Sequence, residues 1–149
     1  MATTHYPNFT YISSGVKCSI NTDKLNANID RAQFWLDSQV MNCMTPLMPM
    51  RTGIFINLTK MQSASLAGTG EVIAAAPPYG RFLYFGKVMI DPVTKSPWAR
   101  AGVKKIVTSR PLTFANQQAV PMWFDASKQQ HLNSWIQGVN NILGGTVIA

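Results

Sequence analysis

Residues 31–58 read RAQFWLDSQVMNCMTPLMPMRTGIFINL, and this stretch decides the fold. With the residues just upstream, apolar side chains recur at Leu25, Ile29, Ala32, Leu36, Val40, Cys43 and Leu47, in steps of three or four. At 100° per residue they form one narrow stripe, so the spacing predicts a core-facing helix. It starts near Asn21-Thr22-Asp23, where short polar side chains can cap free backbone N–H groups. It ends near Pro46, because proline disfavours helical geometry in the residue before it, and Pro49 repeats the stop. The segment Pro49-Met50-Arg51-Thr52-Gly53 then predicts a corner, and residues 54–59, rich in strand formers, predict a strand.

The back of the helix admits two readings. Phe34 and Met41 lie almost opposite the stripe, with Asp23, Asp30 and Asp37 close beside them at a spacing of seven. This is either a solvated acidic face carrying two scattered hydrophobes or a second face buried against another subunit.

Working outward, residues 1–15 lack periodicity and predict an N-terminal arm or loosely held tail, although Tyr6, Phe9, Tyr11 and Ile12 could anchor it on a neighbour. Residues 16–20 alternate as a short strand. After the corner, residues 62–70 predict a turn region and 71–76 a returning strand, so that 54–76 form an antiparallel hairpin against which the first helix packs. Residues 79–86, with four aromatics in eight positions, predict one helical turn or a packed irregular segment closed by Gly86. Residues 91–103 read as a long loop, of the kind that is usually functional or disordered, followed by a strand near KKIVT. A final helix is expected from Asp125, with an apolar face of Leu132, Trp135, Ile136, Val139, Ile142 and Leu143, and a stop at Gly144-Gly145. Gly138 inside it costs about 1 kcal/mol relative to alanine, which close packing would explain. The tail, residues 146–149, is apolar enough to need cover. The expected class is α+β, a small antiparallel sheet packed by a long N-terminal helix and a C-terminal helix. The expected division is an arm (1–15), one domain (16–145) and a tail (146–149).

Composition sharpens this. A chain of 149 residues makes one domain and can bury roughly 68–70% of its unfolded surface without a disulfide or metal. Charged residues make up 13%, against about 25% in an ordinary globular protein, with eight Met and four Trp. That balance suits a surface partly covered by partners. Between residues 81 and 110, seven cations (Arg81, Lys87, Lys95, Arg100, Lys104, Lys105, Arg110) face one acid, Asp91, giving a local excess of +6 within a net charge of +7. Such a patch points to an acidic partner or to nucleic acid. Cys18 and Cys43 have no metal-ligand spacing and read as free thiols of a reducing compartment. The first residues lack the pattern of a signal peptide, and no apolar run approaches the ~20 residues that span a bilayer, so an intracellular chain without membrane contact is expected.

Catalytic chemistry finds little footing. His5 falls in the arm and His131 beside the apolar edge of the last helix, where packing or solvation is the ordinary role. Six carboxylates form no acid–base pair, and metal spacings are missing. Gly68-Thr69-Gly70-Glu71 resembles the start of a phosphate loop, but it lacks a third glycine and a following helix, so a turn is expected. No cofactor, metal or catalytic residue is expected.

Three motifs in order carry a resemblance: the helix ending RAQ-x-x-L-x-x-Q with the corner at Pro49-Met50-Arg51-Thr52-Gly53, the segment Pro78-Tyr79-Gly80-Arg81-Phe82-Leu83-Tyr84-Phe85-Gly86-Lys87, and Pro121-Met122-Trp123-Phe124-Asp125-Ala126 before a closing helix. Together, across roughly residues 25–143, they resemble the minor capsid proteins of long-tailed bacteriophages that serve head–tail joining and tail completion. The chain departs from that pattern in Ile54-Phe55 after Thr-Gly and in a longer loop at 91–118. The resemblance implies a structural protein of the virion neck, assembled in the host cytoplasm, a sixfold cyclic ring between the portal complex and the tail, contacting neighbouring neck and tail proteins, and DNA in the channel. On this expectation Phe34, Met41, Tyr79, Arg81, Tyr84 and Phe85 are subunit contacts, with Tyr84 and Phe85 serving core packing equally well. Lys95, Arg100, Lys104, Lys105 and Arg110 face an acidic neighbour or DNA. The alternatives are a stand-alone basic nucleic-acid-binding module and a small hydrolase.

Overall fold

The 22-residue helix α1 (Asp23–Met44) is the spine of the molecule. Asn21 accepts the Asp23 N–H through its side chain at the start, and a short 3-10 turn (Thr45–Leu47) carrying Pro46 ends it. A computed structural model describes residues 4–144 of the chain. Around the spine stand β1 (Phe9–Ser13), β2 (Val16–Ile20), α2 (Ile54–Ala64), α3 (Gly80–Phe85), β3 (Lys87–Ile90), β4 (Ile106–Pro111) and α4 (Trp123–Leu143). The class is α+β. Its strands form two separate antiparallel pairs, β1–β2 and β3–β4, and α1 and α4 pack directly on each other.

The central sheet expected from residues 54–59 and 71–76 does not occur among the described residues: 54–64 is helix α2, and 71–76 is irregular chain with a bend at 74–75. Its buried positions, Ile56, Thr59 and Ser63, follow steps of three and four. Two of them are hydroxyl residues, so the period is invisible to an apolar count. Those hydroxyls replace the missing strand edge. Ser63 Oγ accepts the Ile73 N–H at 2.8 Å and donates to the Ile73 carbonyl at 2.9 Å, while Thr59 Oγ1 accepts the Ala76 N–H at 3.2 Å. Buried backbone groups must be paired, and here helix side chains pair them.

Because 54–64 is helical, it covers the back of α1. Met41 faces α2 and is 7% exposed, in one core cluster with Met44, Met48, Ile56 and Trp123. Asp37 is buried too, not part of a solvated acidic face: its carboxylate accepts the N–H groups of Gly68 (2.8 Å) and Gly70 (3.1 Å) and the Gln33 amide (2.7 Å). The expected turn at 68–70 is thereby fastened to α1. Leu25, at the other end of the expected stripe, is exposed.

On its remaining side α1 runs antiparallel to α4, Met44 lying near Trp123 and Trp35 against Gly138. Helix α4 begins two residues earlier than expected, behind Met122 in a left-handed conformation (φ 52°), and Gly144 closes it at φ 77°. The expected α3 turn ends at Gly86, φ 61°, against Pro121. The strand β3, four residues long, escaped the sequence reading.

The arm is not loose. Residues 5–8 are strapped along the first turns of α1: Tyr6 and Asn26 exchange two hydrogen bonds, Thr22 donates to Tyr6 and Asn8, and His5 pairs with Asp30 at 2.8 Å. Beyond the strap, β1 pairs with β2 in full register from Phe9↔Ile20 to Ser13↔Val16, so a boundary at residue 15 would cut a hairpin. The tail expected at 146–149, with Gly145, lies outside the described residues.

Candidate functional site

Two exposed surfaces flank the spine, one joined to the N-terminal end of α1 and the other on elements that pack around Met44 and Trp123 at its C-terminal end. The first is the β1–β2 hairpin. Ser14 (φ 49°) and Gly15 (φ 80°) make the two-residue turn with both central residues left-handed, whose twist suits paired strands. Residues opposite one another share a face. One face therefore carries Phe9, Ile20, Tyr11, Cys18 and Val16, and the other Thr10, Ser19, Ile12 and Lys17. Every residue of both strands is exposed, Val16 at 70% and Tyr11 at 58%. A two-stranded hairpin is marginal in water, and this one holds its apolar face away from the core.

The second surface lies on α3, β3, β4 and the loop between the strands. Within that loop Asp91, fully buried, is a staple. Its Oδ1 accepts the N–H groups of Val93 (2.8 Å) and Thr94 (3.2 Å), and its Oδ2 accepts the Arg100 backbone N–H (3.3 Å) and Nε (2.9 Å). The Arg100 guanidinium and then the backbone donors hold the Asp91 carboxyl far below the usual carboxylate range. Arg100 is accordingly a strut of its own loop, not a cation free to face a partner as expected from charge counting. Lys95, φ 58°, turns the loop, its N–H donating to the Asp91 carbonyl. The loop so closed holds Trp98 out in water, 84% exposed. Arg81, Lys87, Lys95, Lys104, Lys105 and Arg110 are exposed, and none pairs with an acid among the described residues.

The expected subunit contacts divide. Phe34, Tyr79, Arg81 and Phe85 are exposed, Tyr79 standing edge-on to Phe82 at 6.0 Å. Met41 is withdrawn into the core, and a partner cannot reach it without unfolding α2. Tyr84 is internal structure: its ring lies edge-on to Trp123 at 4.9 Å, its carbonyl accepts the Met122 N–H, and its hydroxyl donates to Asp125 Oδ2 at 3.0 Å. Burial first, then the bond to Asp125 and its negative charge, push the Tyr84 phenol up to about 12. A folded-state value above the ordinary 10.0 means that the folded chain holds this proton longer than the unfolded one. The associated stability is complete below pH 10 and is lost as pH rises toward 12. In alkaline unfolding, the advantage of the wild type over Tyr84→Phe is expected to shrink across that interval; a difference flat with pH would refute the arrangement.

Two of the three motifs of the phage resemblance, the 78–87 and 121–126 segments, meet at one junction. Phe55, just beyond the 49–53 corner, lies edge-on to Trp123 at 6.0 Å, Tyr84 packs on the same ring, and Gly86 abuts Pro121. For proton chemistry the site offers little: His131 stacks on Trp135, His5 pairs with Asp30, and no group of three potential metal ligands occurs among the described residues. No helix among them is long and apolar enough to cross a membrane. Comparison with protein-family models, curated proteins and solved structures returned no match.

The hairpin is what sequence reasoning half missed. Ser14-Gly15 between Phe9-x-Tyr11 and Val16-x-Cys18-x-Ile20 was the available signal.

Proposed function

We propose that this chain is a structural connector of a phage neck, a virion protein whose copies close into a cyclic ring between the capsid portal complex and the tail. The observation that carries it is the hairpin: an apolar strand face, held off the core on a strapped stem, needs a neighbouring molecule to cover it. Support comes also from the resemblance motifs, two of which meet beside Trp123.

The hairpin can be disarmed without touching the core. Tyr11→Ser with Val16→Ser removes two side chains worth about 1.5–3 kcal/mol each when buried. Self-association is then expected to weaken by at least about 100-fold, since each 1.4 kcal/mol is a factor of ten, with the urea midpoint of the single chain unchanged. Sedimentation of wild type and variant measures the first quantity, and a urea titration followed by circular dichroism the second. Equal association of the two proteins would remove the hairpin from the assembly.

The exposed cations keep a second reading in view, a stand-alone nucleic-acid-binding module. It requires duplex binding by the single chain that falls steeply with salt, as counterion release dictates.

A further inference from the structure

We infer that the groove beside the stapled loop is a docking site for an acidic protein segment that inserts an apolar side chain. This deepens the connector reading by naming the chemistry of one neighbour, and it rests on that reading only in taking the neighbour to be protein. An open groove of about 260 Å³ has Phe82, Val88, Met89 and Leu112 on its floor, with Tyr79 and Trp98 as walls. Exposed aromatics flanking an apolar pocket are the usual anchors of an interface. The Asp91 staple closes the loop that carries Trp98 before any partner arrives, so docking does not have to order that backbone.

Charge selects the occupant. Lys105 stands on the rim, Lys87, Lys95, Lys104 and Arg110 lie on the same strands and loop, and Arg81 lies on α3. The segment's sole acid, Asp91, is consumed inside by Arg100. A basic partner would be repelled and an acidic one drawn in. A phosphate backbone would satisfy the cations but leave the apolar floor wet, whereas a peptide with Asp or Glu around a Leu, Phe or Trp satisfies both.

A library of random twelve-residue peptides displayed on phage, selected on the full chain, tests this. Enriched peptides are expected to carry acidic residues around an apolar one, to bind Trp98→Ala at least ten-fold more weakly, and to lose binding on Lys104→Glu/Lys105→Glu. Trp98 is nearly all in solvent and both lysines are exposed, so circular dichroism is expected to show both variants folded. The inference is overturned by failure to enrich any peptide, by enriched peptides without acidic excess, by equal binding to Trp98→Ala, or by a 20-base-pair duplex that binds more tightly than the best peptide at the same salt. Single chains can capture peptide whether or not copies join, so failure here and failure of ring formation are separate results.

Discussion

Replacing Trp123 with alanine is expected to destabilise the folded chain by about 3–5 kcal/mol, the range for removing a large aromatic from a core. Trp123 has no exposed surface, lies edge-on to Phe55 and Tyr84, and belongs to the cluster of Met41, Met44, Met48 and Ile56. Its Nε1 donates to the Ala74 carbonyl at 2.8 Å, which ties the 71–76 segment to α4. Alanine therefore opens a cavity and strands a carbonyl at once. Domain stabilities run to about 5–15 kcal/mol in all, so the variant should be largely unfolded at modest urea. Trp123→Phe keeps most of the volume and loses the hydrogen bond, at a smaller cost of about 1–3 kcal/mol. Urea midpoints at constant slope measure both. A Trp123→Ala protein within 1 kcal/mol of wild type would contradict this packing.

The second large effect is expected at Gly138, where two forces oppose. Alanine should gain about 1 kcal/mol in an exposed helix interior. Here, however, a Cβ would overlap the ring of Trp35 on α1, and the nearest atoms belong to a rigid aromatic with no flexible end to swing aside. Separating two long helices to admit it disturbs their whole contact, at a cost of about 1–3 kcal/mol or more. The clash should win, so Gly138→Ala is expected to destabilise. Trp35→Leu in the same chain should recover part of the loss, a non-additivity that neighbouring residues show and distant ones do not. A stabilised Gly138→Ala protein would mean that α1 and α4 are not in this close approach.

What sequence could show followed from which residues do the work. Helix α1 was legible because its stripe is long, apolar and stopped by Pro46 and Pro49. Helix α4 and the Gly86-closed turn were legible for similar reasons, and the close packing expected at Gly138 is met by Trp35. Helix α2 was not, since Ile54-Phe55-Ile56 favours strands by composition while its buried period passes through Thr59 and Ser63. That one error misplaced Met41, because a strand hairpin would have left the back of α1 uncovered. Net charge exposed the basic segment but not that Arg100 and Asp91 cancel within it, a pairing of residues nine apart that only the loop's path creates. Tyr84 and Phe85, adjacent and chemically alike, separate into strut and exposed ring only once α3 is placed on Trp123.

The claim on which the connector reading depends is that the hairpin face is covered by another copy of the chain. Native mass spectrometry of the 16.4 kDa protein over a wide concentration range tests it most directly. One closed species at a fixed multiple of that mass, dissociating to single chains without larger polymers, is the expected result. Single chains alone at the highest concentration reached would contradict it.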